Sequence, residues 1–349
     1  MAQPKTIQIG NRTVGDSQEL FIMAECGVTC NYDMRITKQL IDVVSDVGAD
    51  AIKFIFWFPD EIMSDRTIEY RYETVDGPRS ENMYAMLNKL RFTLDQWREI
   101  KQYANSRDVI VFSTVNSPTG IVWAEELKLD AYKLSSWDYN YLPLWRRIAA
   151  LKKPMLMDTG PVNSTEIAQV LDVLKSAGND QAVLMHCTHT DDYSHINMRS
   201  IPYMRETFQT LVGYSSKDRE YQTDILAVAL GAGVLEKRLT MSRSLPGHHH
   251  ILSREPAEFA EYVKAMRNMH AALGKPDLIP SAEDLAERKC WFRHLVARVP
   301  LAVGTVLQES HLEGKRPEAG VSPELLEFFI GKRVGRDLME NEAIRFEDV

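Results

Sequence analysis

Two lysines lie within apolar, strand-like runs of the sequence. Lys53 stands in Ala-Ile-Lys-Phe-Ile and Lys133 in Ala-Tyr-Lys-Leu-Ser. An unpaired buried ammonium group is costly, so each lysine must meet a carboxylate or an anionic ligand. One interpretation is a set of internal ion pairs with Glu25 and Glu236 as the acidic partners, and another is a site for a phosphate or carboxylate group. A third is a Schiff-base aldolase, in which a desolvated lysine attacks a carbonyl carbon.

Other polar residues fall at the ends of the strand-like runs, and small hydroxyl groups are common among them. Hydroxyl and backbone amide groups can complete the binding of an anion that a lysine attracts. The residues at these ends are Glu25, Lys53, Ser113, Thr114, Lys133, Ser135, Ser136, Asp158, Thr159, His186, Thr188, Ser215, Ser216, Glu236 and Arg238. This set favours a phosphate-bearing or carboxylate-bearing substrate.

The histidines allow two interpretations. His186 follows Val-Leu-Met at the end of a run and is either a general acid or base or a core imidazole. The consecutive histidines 248–250 resemble a metal cluster. Adjacent residues cannot all point at one ion, so we expect at most one of the three to bind a ligand.

Eight strand-like runs alternate with segments whose apolar residues recur at helical spacing. The runs are 21–26, 51–56, 109–114, 131–135, 155–159, 182–187, 210–214 and 233–237, and the helical segments include 37–47, 94–104, 164–177 and 221–230. Hydroxyl N-caps are expected at Thr93 and Ser164. The alternation predicts an α/β fold, a (β/α)8 TIM barrel with its site at the carboxyl ends of the strands. A doubly wound sheet is the alternative, and no Gly-x-Gly-x-x-Gly follows the first run.

The carboxyl-terminal part of the chain has a different composition. We predict the barrel over residues 1–275, a polar linker with two prolines over 276–289, and a small domain over 290–349. A unit of that size has a marginal core of its own. It is therefore expected to lean on another surface, in its own chain or in a partner's.

Composition excludes several classes of protein. The 349 residues carry 41 Lys+Arg and 49 Asp+Glu, a net charge of −8 without a basic block, which argues against nucleic-acid binding. The sequence has no apolar run long enough to span a membrane and no pattern typical of a secretory signal. Four cysteines are too few for a disulfide scaffold of this length. A cytoplasmic enzyme is the expectation.

Motifs along nearly the whole chain resemble those of the N-acetylneuraminate (sialic acid) synthase family, in the family's order. They lie at residues 23–27, 48–54, 113–114, 132–136, 153–160, 186–188, 213–215, 229–237, 244–247 and 314–317. The resemblance implies a TIM barrel followed by an antifreeze-like (SAF) domain. It also implies a domain-swapped homodimer, in which Arg316 reaches the partner's barrel.

The reaction that the resemblance implies joins phosphoenolpyruvate (PEP) to the carbonyl group of an amino sugar and releases phosphate. Residues matched to the PEP site are Lys53, Thr114, Lys133, Ser136, Asp158, His189 and Ser215. Residues matched to the acceptor site are Glu25, which also lies near the reacting carbonyl, and Asp138, His249, Phe292 and Arg316. Asp158 would stand beside the phosphate, so its charge is expected to be offset by Lys217 or Arg238.

The metal site departs from the pattern that the resemblance implies. The family holds Mn²⁺ or Mg²⁺ with two histidines, and Lys217 and Arg238 occupy those two positions here. Protonated side chains are poor ligands for a cation. We therefore predict no metal cofactor, with Lys217 or Arg238 polarising the carbonyl and His186 or His249 assisting proton transfer. The alternative is a relocated metal held by His249 with His186 or His189.

Three functions are compatible with these residues. The leading one is a PEP-dependent synthase whose acceptor is a sugar or aldehyde other than N-acetylmannosamine, because loop residues that would contact the acceptor have changed. The second is an ordinary synthase of sialic or legionaminic type. The third is a non-catalytic paralogue that binds a sugar or a phosphorylated ligand. Charged groups kept inside a barrel favour an enzyme.

Overall fold

The computed structural model describes residues 5–190, 192–217 and 219–349. The chain forms two compact units that divide between Gly274 and Lys275. No helix among the described residues is long and apolar enough to cross a membrane.

The first unit is a closed barrel of eight parallel strands that neighbour one another in chain order. The strands are β1 (Phe21–Glu25), β2 (Ala51–Ile55), β3 (Ile110–Thr114), β4 (Tyr132–Leu134), β5 (Met155–Asp158), β6 (Ala182–Cys187), β7 (Leu211–Ser215) and β8 (Val234–Arg238). Each strand overlaps one of the eight predicted runs. The predicted TIM barrel is therefore confirmed.

Helices surround the barrel. Those of the first unit are Met34–Asp46, Pro59–Ile62, Met83–Lys89, Leu94–Ser106, Pro118–Glu126, Leu142–Ala149, Ser164–Ser176, Ser200–Phe208, Gln222–Ala229 and Pro256–Ala272. Thr93 begins its helix with a capping box that includes Gln96. The prediction that Ser164 caps its helix was wrong, because the side chain of Asn163 accepts the amide hydrogen bonds there.

Successive side chains of a strand point to opposite faces of the sheet, so each barrel strand contributes to two separate cores. One face of each strand packs against the helices. The other face fills the barrel, where Met23, Phe112 and Met185 lie with Ile7 and Ile9. Both isoleucines belong to an N-terminal hairpin, Thr6–Ile9 paired with Arg12–Gly15, which the sequence analysis did not predict. Its apolar side chains pack into the amino-terminal end of the barrel interior, which leaves polar chemistry to the opposite end.

A second hairpin, Glu69–Thr74 paired with Gly77–Asn82, lies between β2 and β3. Along its first strand, exposed residues alternate with half-buried ones. The half-buried members are Tyr70, Tyr72 and Thr74. This hairpin therefore has an inner and an outer face.

The second unit contains an exposed helix, Ala282–Trp291, within and just beyond the stretch predicted as a linker. After it come a strand pair, His294–Ala297 with Leu312–Lys315, and a short helix, Leu326–Phe329. An isolated antiparallel bridge joins Val296 to Ala343. The core of this unit is small and apolar, and Leu295, Leu312 and Phe329 are among its buried members.

Candidate active site

All eight strands place a residue near their carboxyl ends on the face that lines the barrel interior. The alternation that sends Met23, Phe112 and Met185 inward at the amino-terminal end sends other residues of the same strands inward at the other end. These are Glu25, Lys53, Thr114, Lys133, Asp158, Cys187, Ser215, Glu236 and Arg238. The structure thus brings together most of the polar side chains that the sequence analysis selected.

Glu236 bridges the two buried lysines. Its Oε2 accepts a hydrogen bond from Lys133 Nζ at 2.6 Å, and its Oε1 lies 3.2 Å from Lys53 Nζ. Lys133 also donates to Asp158 Oδ2 at 2.7 Å, and Lys53 lies 3.4 Å from Glu25 Oε1. Lys133 is only 1% exposed and Glu236 only 3%. Both internal ion pairs considered from the sequence are therefore present, and they are joined into one network.

The network joins two ammonium groups to three carboxyl groups, and its members respond differently to burial. Burial alone would raise the pKa of Glu236, but the charges of Lys133 and Lys53 lower it below its usual value. Burial raises the pKa of Asp158, and Lys133 opposes that rise only in part. The expected compensation of Asp158 by Lys217 or Arg238 was wrong, since Lys133 is its bonded partner. Asp158 is consequently the acid most easily neutralised when an anion enters.

Glu25 and Arg238 present unused polar atoms to the barrel mouth. Glu25 Oε1 accepts the backbone N–H of Gly27 at 2.8 Å. Its Oε2 is buried without a hydrogen-bond partner, and so is Nε of Arg238. These two atoms lie 3.9 Å apart. Buried polar groups in folded proteins normally have partners, so this pair is suited to a polar group of a ligand.

Ser136 and His189 lie on either side of Gly160. Gly160 has a positive φ of 31°, and an added Cβ would collide with the hydroxyl of Ser136 and lie 3.1 Å from the ring of His189. Only glycine permits this close approach. Burial, together with the charges of Arg238 and Lys217, lowers the pKa of His189. Two of the residues matched to the PEP site, Ser136 and His189, therefore lie close together beside Gly160.

Lys217 and Arg238 stand at the positions where the family has metal-binding histidines. The two residues are neighbours in the structure. Arg238 donates from Nη1 to the carbonyl oxygen of Lys217 at 2.9 Å, and Lys217 Nζ donates to the carbonyl oxygen of His189 at 3.1 Å. His249 lies close enough that, besides its burial, the charge of Arg238 lowers its pKa. Lysine and arginine offer a divalent ion no lone pair at neutral pH. The residues at this position therefore do not fit the divalent metal that the resemblance implies.

The alternative of a relocated metal gains no support from the side chains. Across residues 5–190, 192–217 and 219–349, no three His, Cys, Asp or Glu side chains are grouped so that they could hold an ion. His186 in particular lies on the outward face of β6. Its Nε2–H donates to the carbonyl oxygen of Ile196 at 2.7 Å, and its ring stacks on Tyr214 with centroids 5.8 Å apart.

His186 is thus not brought together with Glu25 and Arg238, either as a proton carrier or as a ligand. Burial lowers its pKa, which keeps the ring neutral in this packed position. These surroundings are those of a core imidazole, the second of the two interpretations drawn from the sequence. His249, by contrast, lies near Arg238.

Two groups near the mouth were missing from the predicted site. Glu236 was named among the strand-end residues and as an ion-pair partner but was given no role in the PEP or acceptor site, although it lies on an inward position of β8 and contacts both lysines. Cys187 ends β6 on the inward face, and burial raises the pKa of its thiol to about 12. Each lies an even number of residues from an inward apolar residue of its strand, a relation that becomes informative once the structure shows which face is inward.

Asp138 follows β4 in a short helical turn, Ser136–Asp138. Burial raises the pKa of its carboxyl from 3.8 to about 6. The stability that the neutral form contributes is therefore present below pH 4 and is lost as the pH rises through 6.

Asparagine does not ionise, so Asp138→Asn removes the loss of folding stability that accompanies ionisation of the buried carboxyl group. We expect the variant to be more stable than the wild type at pH 7 by about 1–2 kcal/mol, a value reduced from the full shift because the side chain is partly exposed. The advantage should shrink at pH 4.5. Urea unfolding at the two pH values measures it, and an equal difference at both would contradict the assignment.

Phe292 and Arg316 belong to the second unit. Phe292 is half-exposed beneath the guanidinium of Arg288, whose centre lies 4.1 Å from the ring. Arg316 donates from Nε to the carbonyl oxygen of Trp291 at 2.7 Å. Their contribution to the acceptor site stays a prediction from the resemblance.

Two sequence profiles match the chain. The profile described as the NeuB family matches residues 40–277, which include β2 to β8 and more than half of the chain. The profile described as the SAF domain matches residues 292–349, which lie within the second unit.

Curated relatives match over nearly their full lengths. The N,N'-diacetyllegionaminic acid synthase of Legionella pneumophila is 28% identical over 346 residues, with 97% of each chain covered. The N-acetylneuraminate-9-phosphate synthase of Homo sapiens is 28% identical over 348 residues, with 96% of this chain and 94% of the relative covered. The crystal structure of the N-acetylneuraminic acid synthetase of Leptospira borgpetersenii, in complex with citrate, matches with a TM-score of 0.72. It is 23% identical and covers 81% of this chain and 95% of that chain, which shows a shared fold.

Proposed function

Since the chain belongs to the NeuB family, we propose that it joins PEP to the carbonyl group of a sugar or aldehyde acceptor and releases phosphate. The relatives named above are synthases. The observation that carries the proposal is the buried, unpartnered pair formed by Glu25 Oε2 and Arg238 Nε beside the bridged lysines. That arrangement offers an anion site next to a site for a polarised carbonyl.

In this proposal the lysine side of the mouth binds PEP. Lys53 and Lys133 attract its phosphate and carboxylate, and the hydroxyl groups of Thr114, Ser136 and Ser215 complete the binding. Charge-assisted hydrogen bonds of this kind are stronger than neutral ones. Asp158, whose pKa burial raises, takes up a proton as the anion enters, so that the lysines are released toward the substrate.

Arg238 is the electrophilic group of the two cationic candidates. Lys217 contributes its carbonyl oxygen to hold the guanidinium and directs its own ammonium group at His189. When C3 of PEP attacks the carbonyl carbon, the carbonyl electron pair moves to oxygen. A fixed guanidinium donor stabilises the negative charge that develops there, as preorganised donors do in other enzymes. Glu25 lies beside the same carbon.

The reaction is completed by water. The alkoxide oxygen takes a proton, water adds at C2, and phosphate leaves, so PEP, aldehyde and water give a 2-keto acid and phosphate. His249 is suited to relay the proton because its Nδ1 is buried without a hydrogen-bond partner near Arg238. The neutral ring takes a proton from the water that adds at C2 and passes a proton to the alkoxide. A divalent metal has no step in this scheme.

Phosphate release tests the proposal. Purified protein is incubated with PEP and a panel of aldoses, N-acetylated aminosugars and simple aldehydes. Turnover with an aldehyde that is not an N-acetylated aminosugar supports the proposal in its leading form. Turnover confined to the N-acetylated or diacetylated sugars supports an ordinary synthase of sialic or legionaminic type. PEP binding without release from any acceptor indicates a non-catalytic paralogue and contradicts the proposal.

A homodimer in which Arg316 completes the partner's barrel site is part of the same proposal. We expect light scattering at micromolar concentration to show a dimer, and deletion of residues 292–349 to abolish turnover. Mixing that truncated chain with an Arg316→Ala chain should not restore activity, since neither supplies the arginine. A monomer in light scattering, or restored activity in the mixture, would count against it.

A further inference from the structure

The hairpin between β2 and β3 gathers two aromatic rings on its inner face. Tyr70 and Tyr72 are half-buried, whereas Arg71 between them is exposed. The two tyrosine rings stack with centroids 5.8 Å apart. The hydroxyl group of Tyr72 donates to Glu81 Oε1 across the hairpin at 2.8 Å. The inner face therefore carries two aromatic rings, the carboxylate of Glu81 and, opposite Tyr72, the exposed Arg79, which pairs with Asp76 at 3.5 Å.

The loop after β8 packs against that surface. The ring of His248 lies edge-on to Tyr70 at 5.2 Å and also contacts Tyr72 at 5.7 Å. His250 fixes this loop through hydrogen bonds to Asn31 Oδ1 at 3.0 Å and to the hydroxyl group of Thr240 at 2.8 Å. Burial lowers the pKa of His248 to about 4, so its ring is neutral at pH 7.

The same surface reaches the reacting end of the barrel mouth. The rings of His248 and His249 are 4.7 Å apart, and His249 lies within electrostatic reach of Arg238 and Lys53. Burial raises the pKa of Tyr70 and the charge of Arg238 opposes that rise, which places Tyr70 near the guanidinium. The hairpin therefore stands on the side of the mouth where the unpartnered atoms of Arg238 and Glu25 lie.

We propose that Tyr70, Tyr72, Glu81 and His248 form the wall of the acceptor subsite, and that this wall selects an uncharged, unphosphorylated sugar-type aldehyde. The inference rests on the proposed function, which puts the acceptor's carbonyl group at Arg238. The aromatic rings pack against the C–H face of the carbon skeleton, since pockets for small molecules are lined mainly by such groups. Tyr72 and the neutral imidazole offer hydrogen bonds to hydroxyl groups.

A phosphorylated acceptor does not suit this wall. The cations of the mouth are bound to carboxylates or assigned to PEP, and Arg79 beside Tyr72 is exposed and paired with Asp76. Glu81 adds a negative charge close to the aromatic rings. A phosphate group brought there would be repelled at short range in a partly desolvated site. The wall thus excludes one class of acceptor as well as binding another.

Calorimetric binding of unreactive acceptor analogues tests the wall without requiring turnover. Neutral open-chain alditols and their terminal phosphates are titrated, with PEP present, into the full-length wild type and into Tyr70→Ala, Tyr72→Ala, Glu81→Gln and Arg71→Ala. We expect neutral alditols to bind the wild type and both tyrosine variants to bind about tenfold more weakly. Arg71→Ala, on the outer face of the same strand, is the matched control and should bind as the wild type does. Glu81→Gln should improve binding of the phosphates relative to the neutral alditols.

Kinetics separate this inference from the proposed function. With an accepted aldehyde, the tyrosine variants should raise the KM for the acceptor and leave the KM for PEP within about twofold. The inference is overturned if the alditols do not bind the wild type, if they bind all variants equally, or if the wild type prefers the phosphates. Alditol binding that depends on Tyr70 without turnover of any aldehyde would support the wall and contradict the synthase. The wild-type preference for neutral over phosphorylated analogues needs no variant and so does not depend on variant folding.

Discussion

Lys53→Ala and Lys133→Ala are each expected to weaken PEP binding by at least ~30-fold, corresponding to 2 kcal/mol or more for loss of one partner of a buried charge pair. Each variant removes a cation that faces the barrel mouth and leaves the charge of Glu236 less compensated. The remaining carboxylates would then repel the phosphate and carboxylate groups of PEP. Calorimetric titration with PEP measures the change.

Controls distinguish loss of a ligand contact from general damage. Lys153 donates to Glu125 and to the carbonyl oxygen of Leu129 near the opposite end of the barrel. Lys153→Ala therefore removes a partly buried lysine of the same kind and should leave PEP affinity unchanged. Equal affinity in the wild type, Lys53→Ala and Lys133→Ala would show that the network only fills the barrel.

A change of opposite sign is expected at Asp158. This carboxylate is bonded to Lys133 and has a second oxygen, Oδ1, buried without a hydrogen-bond partner. Asp158→Asn removes a negative charge beside the proposed phosphate position. Repulsion between two like charges at this range costs about a kcal/mol or more of binding free energy. We expect the variant to bind PEP up to about tenfold more tightly at pH 7, with less improvement at lower pH. Weaker binding would place Asp158 away from the anion.

The barrel was predictable because its strands and helices carry strong local signals. The run 182–187 matches β6 residue for residue, and the other strands differ from their predicted runs by only a residue or two at either end. The helix Met34–Asp46 begins earlier than the predicted segment because the side chain of Asp33 caps it. Turn chemistry also indicated a hairpin after β2, since Asp-Gly is typical of hairpin turns, although the two loop residues are Val75 and Asp76 and Gly77 begins the second strand. That signal was overlooked among exposed polar residues.

The faces of the strands were harder to assign than the strands themselves. In a parallel barrel both faces of a strand are apolar, so the pattern does not say which residues point inward. His186 was selected because it ends a strand, but it shares the outward face with Leu184. Glu236 lies on the inward face, yet its bridge between Lys53 and Lys133 depends on strands far apart in the sequence. Only the closed barrel brings those three side chains together.

Turnover is expected to survive exhaustive chelation with EDTA, and metal analysis of the purified protein is expected to show no bound Mn²⁺ or Mg²⁺ at a stoichiometric level. The reason is the chemistry of the donors. Lys217 and Arg238 stand where the resemblance implies metal-binding histidines, and both are protonated at neutral pH. Arg238 Nε, buried 3.9 Å from Glu25 Oε2, supplies a positive donor at the position proposed for the carbonyl group. Phosphate release before and after chelation measures the dependence.

A pair of substitutions is expected to make turnover depend on a metal ion. Arg238 Nη1 donates to the backbone oxygen of Lys217 and its Nε lies 3.9 Å from Glu25 Oε2, so position 217 and one carboxylate both adjoin Arg238. Lys217→His and Arg238→His together would supply two imidazoles next to that carboxylate, a donor set that suits Mn²⁺. The double variant should lose activity without metal and regain it with Mn²⁺, whereas Arg238→Ala should lose at least ~100-fold in kcat and not respond. If instead EDTA abolishes wild-type turnover and Mn²⁺ restores it, the guanidinium is not the group that stabilises the alkoxide.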